Sequence, residues 1–201
     1  MTGQTIVCIA SGPSLTIDQV NHVRASGVDC MVVNDNYVMH PDARYIFAAD
    51  MRWWYRHYND VPKAMACYTL AGHPEHINKR VHGARDRLIG VSYDAKYGLY
   101  DDKVHHGGNS GYMAVQLCRI LGYGKIVLLG FDMQHTGGKR HWFGDHDMRY
   151  FTKNADKVDD WAVLMDKWCY DAMAEGKVEI VNCTTQTALT IPRKSVIMTE
   201  V

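Results

Sequence analysis

The sequence predicts one α/β domain of Rossmann-like type, a mostly parallel sheet with helices on both faces, and three observations carry that reading. Short runs rich in β-branched and aliphatic residues, TIVCIA at 5–10, DCMVV at 29–33, RYIFAA at 44–49 and KIVLL at 125–129, alternate with segments of helical period. The runs are apolar on both faces, which suits inner strands of a parallel sheet rather than half-exposed ones. Each stops at small or polar residues that such a sheet would gather along one edge.

In chain order, the first strand runs into the turn Ser11-Gly12-Pro13-Ser14-Leu15, which hands over to a helix over 16–25 ended by Gly27. The second strand stops at Asn34-Asp35-Asn36 and the third at Asp50. MRWWYRHY at 51–58 reads as a short helix, and 64–70 as a strand. Residues 71–106 have weak periodicity and read as irregular, with one short strand near 88–92.

The central stretch follows, HHGGNSGYMAVQLCRILGYGKIVLLGFD at 105–132. Gly107 and Gly108 allow close backbone approach, Asn109 or Ser110 can cap a helix over 110–122, and its Met113, Leu117, Ile120 and Leu121 form an apolar stripe. Gly122 and Gly124 end that helix before the buried strand. The next segment, 133–150, is too rich in glycine and histidine for a plain connection and reads as an active-site loop. Val158, Trp161, Leu164, Met165, Trp168, Cys169 and Ala172 mark a helix over 155–174, with acidic residues near its start. A last strand at 178–181 stops at Asn182-Cys183-Thr184.

The 201 residues suffice for one core and predict one domain over 1–201. Lys plus Arg and Asp plus Glu are balanced at 22 each, so no global field recommends nucleic acid or an acidic membrane. No apolar run approaches the roughly 18 residues of a membrane span, and the start lacks a basic leader, so a soluble cytoplasmic protein is expected. Six cysteines scattered singly among apolar neighbours predict reduced, buried thiols.

The strand-end residues define the expected site. Ser11, Gly12, Pro13, Ser14, Asn34, Asp35, Asn36, Asp50, Asp132, Asn182 and Thr184 would converge near Gly108, Asn109, Ser110 and Gly111. Amides of a Gly-rich turn feeding a helix suit phosphates, and Asn suits the edges of a ribose or base, so a nucleotide is expected. The Ser11 turn is neither a P-loop nor G-x-G-x-x-G. In the 133–150 loop, His141, Asp145, His146 and Asp147 are potential metal ligands that His105 and His106 could join, yet H-x-x-x-x-H is not a zincin pair, and no metal is assigned. The same loop could also be a solvated turn. RWWYRHY interleaves cations with aromatics and could stack an acceptor, or it could be core or a subunit contact.

The chain resembles the superfamily of bacterial lipooligosaccharide sialyltransferases and archaeal-type 6-hydroxymethyl-dihydropterin diphosphokinases, which includes phage-encoded relatives. The matching pieces are IASGPSL at 9–15, VVND at 32–35, SGYMAV at 110–115, LGYGKIVLLGFD at 121–132, HWFGDH at 141–146 and VNCT at 181–184. The resemblance implies a nucleotide held between the Gly12 turn, Asn34 and the Ser110 loop, with a CMP-sugar as donor and no metal; a UDP-linked sugar is the other donor expected. It places the base that takes the acceptor's proton on His146, with His141 and Asp145 in the same catalytic group. Two tyrosines that assist the leaving phosphate in those enzymes are replaced here by Met133 and the 135–140 stretch. His135, Lys139 or Arg140 would supply that help, and Trp53, Arg56, His135 and Arg140 would face the acceptor.

Glycosyltransferase chemistry is therefore the first expectation, on an acceptor that is a glycan, a small molecule or a modified nucleobase. A diphosphokinase using Mg²⁺ held by Asp50 and Asp132, or a non-catalytic nucleotide-binding module, are the alternatives. Trp53 and Trp54, read as exposed, suggest a homodimer.

Overall fold

The computed structural model describes residues 3–144, 157–194 and 200–201. Its centre is a seven-stranded sheet of β1 (Thr5–Ile9), β2 (Asp29–Val33), β3 (Tyr45–Phe47), β4 (Ala66–Leu70), β5 (Leu88–Val91), β8 (Lys125–Leu129) and β9 (Glu179–Asn182). The order across the sheet is β5-β4-β3-β2-β1-β8-β9, and every pair is parallel. The chain works outward from β1 to one edge, then returns to lay β8 against the other side of β1. Strand order thus reverses at β1, the place where open α/β sheets bind ligands beyond their carboxyl ends.

The alternation along β1 explains why its sequence is apolar throughout. Ile6 and Cys8 face one core with Met113 and Trp168, while Val7 and Ile9 face another with Val20, Val23 and Trp54. The first core is covered by α5 (Ser110–Ile120) and α6 (Val158–Ala174), the second by α1 (Ile17–Ser26) and α2 (Met51–His57). Helix α1 starts in a capping box, with Gln19 N–H donating to Thr16 Oγ1 and Thr16 N–H to Gln19 Oε1, and ends at Gly27 in the left-handed region.

The 71–106 region is more regular than its sequence indicates. It holds α3 (His73–Asn78), α4 (Ala84–Arg87), β5 and a separate parallel pair, β6 (Tyr93–Asp94) with β7 (Val104–His105). The helices are six and four residues long, too short to display a period, and start at Gly72 and Gly83 without side-chain caps.

Trp53 and Trp54, expected on the surface, are 4% and 0% exposed. The Trp54 indole donates to Ala48 O at 2.9 Å, so the pair belongs to the core and gives no argument for a homodimer. All six cysteines are buried and unpaired, and burial pushes the Cys67 and Cys183 thiols up to about 11. Among the described residues no helix is long and apolar enough to cross a membrane.

Candidate functional site

Beyond the strand ends a cleft of about 480 Å³ opens between the β1 turn, the β8 end and the start of α5. That volume lies in the range of about 300–1,000 Å³ usual for small-molecule and cofactor sites.

Its floor is set by β1 and β8, which stay paired past the strands. Ala10 N–H donates to Leu129 O and Gly12 N–H to Gly130 O, both at 2.8 Å. Gly12 is required by closeness: a Cβ there would lie 2.1 Å from Asp132 Oδ1 and 2.5 Å from Gly130 O. Asp132 is 1% exposed and ties the floor together. Its carboxylate accepts from Ser14 N–H at 2.9 Å, Ser14 Oγ at 2.7 Å and Thr136 Oγ1 at 2.7 Å. Three donors on one buried carboxylate make it an anchor for two loops.

The loop after β8 folds back over this floor. Thr136 and Lys139 bridge across Gly137-Gly138, whose φ values of 58° and 74° a side chain would resist. The loop is then latched: Trp142 N–H donates to Ser11 O at 3.1 Å and the Trp142 indole to Asn36 Oδ1 at 2.7 Å. Asn36, fully buried, also donates through Nδ2 to Ile9 O and Val33 O, each at 3.0 Å, so one side chain links the ends of β1 and β2 to the loop. The latch brings His141 to the cleft, where Nδ1 lies 2.9 Å from Ser11 Oγ and the ring stacks on Phe143 at 4.9 Å and 7°. His135 and Arg140 line the same wall.

The facing side is the entrance to α5. Asn109 caps it, its Oδ1 accepting from Tyr112 N–H at 3.0 Å, and Ala49 N–H donates to Ser110 Oγ at 3.3 Å, which pins the helix to the end of β3. Gly111 packs where a Cβ would come within 3.1 Å of Phe131. The Ser110 and Gly111 amides, which have no intrahelical acceptor, head the helix at the cleft with the positive end of its dipole. Asn34, in the left-handed region at φ 50°, Asp50 and Arg56 complete the wall. Asp50 caps α2 by accepting from Arg52 N–H at 2.7 Å.

Of the nucleotide-site residues expected from sequence, Ser11, Gly12, Asn34, Asp50, Gly108, Asn109, Ser110, Gly111 and Asp132 line this cleft. Pro13, Ser14, Asp35, Asn182 and Thr184 do not. Ser14 is spent on Asp132, and Asp35 accepts from the Trp53 indole at 3.3 Å. Thr184 Oγ1 accepts from Phe131 N–H at 3.0 Å and Asn182 Oδ1 from Thr184 N–H at 2.9 Å, so these two brace the β8 end from behind. Trp53 reaches the cleft wall, but its face is stacked on His57 at 4.7 Å and offers no platform for an acceptor. Asp145 and His146 lie outside the described residues.

Asn36, one of the strand-end residues expected to converge, carries the latch rather than lining the cleft. Two cleft residues on α6 were not expected from sequence. Trp161 and Val158 line the cleft from α6, although their periodicity assigns them to the core stripe. Of the acids invoked for Mg²⁺, Asp132 already accepts three hydrogen bonds and Asp50 accepts one as the cap of α2. Among the described residues no group of three or more His, Cys, Asp or Glu side chains could hold a metal ion. No protein-family model, curated protein or solved structure matches the chain.

Proposed function

We propose that the protein binds a nucleotide sugar in this cleft and transfers the sugar to an acceptor hydroxyl. The observation that carries the reading is the opposition, across one cleft at the strand-order reversal, of a helix entrance bearing amides and a histidine held by Ser11. The Ser110 and Gly111 amides suit a phosphate, and the cationic side chains of Arg56 and Arg140 add charge for a departing nucleotide. Asn34 has the mixed donor and acceptor chemistry that a base or ribose edge asks for. The resemblance in the 9–15, 110–115 and 121–132 pieces points to the same class of chemistry, with CMP or UDP as carrier.

Transfer needs a group to take the acceptor's proton. His141 in the tautomer that donates from Nδ1 to Ser11 Oγ has its basic lone pair on Nε2, the form a general base requires. His146 is the rival for that role, on the motif alone. Replacing the true base with alanine is expected to lower turnover by roughly 10² to 10⁴ while nucleotide affinity stays within a few-fold. Measuring both quantities for His141→Ala and His146→Ala separates them. The binding reading itself is tested by thermal denaturation with CMP, UDP, ADP and GDP, with and without Mg²⁺. Ligand at about 100 times its Kd adds about 2.7 kcal/mol of stability. A metal-independent rise with CMP or UDP, together with release of nucleotide from the matching sugar donor, is expected. A response confined to ATP or ADP with Mg²⁺ would transfer the case to diphosphate chemistry, and a rise without turnover to a binding module.

A further inference from the structure

The nucleotide cleft shares a wall with a second hollow of about 350 Å³. His106, Gly108 and Trp161 line both spaces, while Lys157, Asp160 and Leu164 belong to the second alone. The dividing wall is thin because it is glycine. A Cβ on Gly108 would sit 3.6 Å from Trp161 Nε1, and one on Gly107 would collide with the Tyr112 ring at 2.5 Å and with Leu164 at 2.8 Å.

The lining has a definite chemistry. Trp161 is half-buried, and its indole N–H has no acceptor among the described residues. It is thus an anchored aromatic ring with an unused donor. His106 is exposed beside it, its backbone held by donation from its N–H to Asp94 O at 2.7 Å, and its ring lies 5.5 Å from the Tyr93 ring. Asp160 is exposed in the first turn of α6, directly before Trp161. A hollow lined by an indole, a carboxylate, an imidazole and an ammonium matches a polyhydroxylated ring, which presents C–H groups on its faces and hydroxyls around its edge.

We propose that this hollow is a binding site for a sugar or sugar-like polyol, with Trp161 as its platform. That its occupant is the acceptor rests on the glycosyl-transfer reading above, and adjacency supplies the reason: His106, Gly108 and Trp161 border both spaces, so a ligand in one lies beside a ligand in the other. The binding itself does not depend on that reading.

The test is an NMR titration of the full chain, following the indole N–H resonances of its five tryptophans, with Trp161 identified by Trp161→Phe. Glucose, galactose, N-acetylglucosamine and glycerol are the probes, taken to about 100 mM so that a millimolar Kd is resolved. At least one sugar is expected to shift the Trp161 resonance saturably, with affinity about fivefold weaker in Asp160→Asn, the loss of one good hydrogen bond. The proposal is overturned if no probe moves that resonance, or if Asp160→Asn and His106→Ala both titrate as the wild type does. The nucleotide denaturation series, run in parallel, keeps the two ideas apart. A nucleotide response without any sugar response sinks this site and leaves the cleft standing, whereas a sugar response without a nucleotide response supports the site and sinks glycosyl transfer.

Discussion

The two sides of the cleft are made of the same kinds of residue and use them in opposite ways. On the β1–β8 side, Ser14, Asn36, Asp132 and Thr136 spend their polar atoms on one another and on strand-end carbonyls and amides. On the α5–α6 side, Asn109 and Ser110 hold their own helix in place, and the donors left over face the space: the first amides of α5 and the indole of Trp161. A strand-end serine or aspartate is therefore no guide to which side it serves. The floor is a scaffold that fixes distance, and the helix side keeps backbone and indole donors at the cleft.

Damage to the floor should appear as lost stability. Gly12→Ala puts a methyl group against the Asp132 carboxylate and Gly130 O, neither of which can retreat without breaking the Ser14 and Thr136 bonds or the β8 backbone. The expected cost is about 3 kcal/mol, at the upper end for overpacking, read by urea denaturation; a loss below about 1 kcal/mol would mean the floor yields and the contrast is false.

On the facing side the balance reverses. Asn109→Ala removes the cap of α5 for about 1 kcal/mol, yet it loosens the turn whose amides face the cleft. Nucleotide affinity is expected to fall several-fold for a small loss of stability, compared by calorimetry and denaturation on one sample. Unchanged affinity would remove the α5 entrance from the site.

The smallest effect concerns acid. His105 lies just before the α5 entrance, its Nδ1 2.8 Å from the Tyr112 hydroxyl, and burial holds its ring below the usual imidazole range, with the neighbouring His106 adding to the shift. A histidine depressed in the folded state gives stability that is complete above about pH 6.5 and is lost as pH falls through the lower folded value, because the unfolded chain takes the proton first. The melting temperature should therefore drop between neutrality and mild acid, and His105→Asn should flatten that drop. His40 and His73, also lowered by burial, continue to contribute in the variant, so the change in slope is partial. An unaltered profile would show that His105 contributes nothing to it.

Among the described residues, the apolar, β-branched runs and the helical periods were enough to place seven of the nine strands and the four longest helices, since burial on both faces of an inner strand leaves no position free to be polar. Convergence of the strand ends at one edge follows from parallel pairing alone, and most of the expected nucleotide residues do line the cleft. Composition could not divide those residues into anchors and ligand-facing groups. That division depends on which donor lies within 3 Å of which acceptor: Asp132 turns inward because Ser14 and Thr136 arrive from separate loops, and Asn36 because Trp142 does. Trp53 and Trp161 make the same point in reverse. Both lie on helices among charged residues; the face of Trp53 is covered by His57 one turn on in α2, while Trp161 stays half-buried at the edge of the cleft.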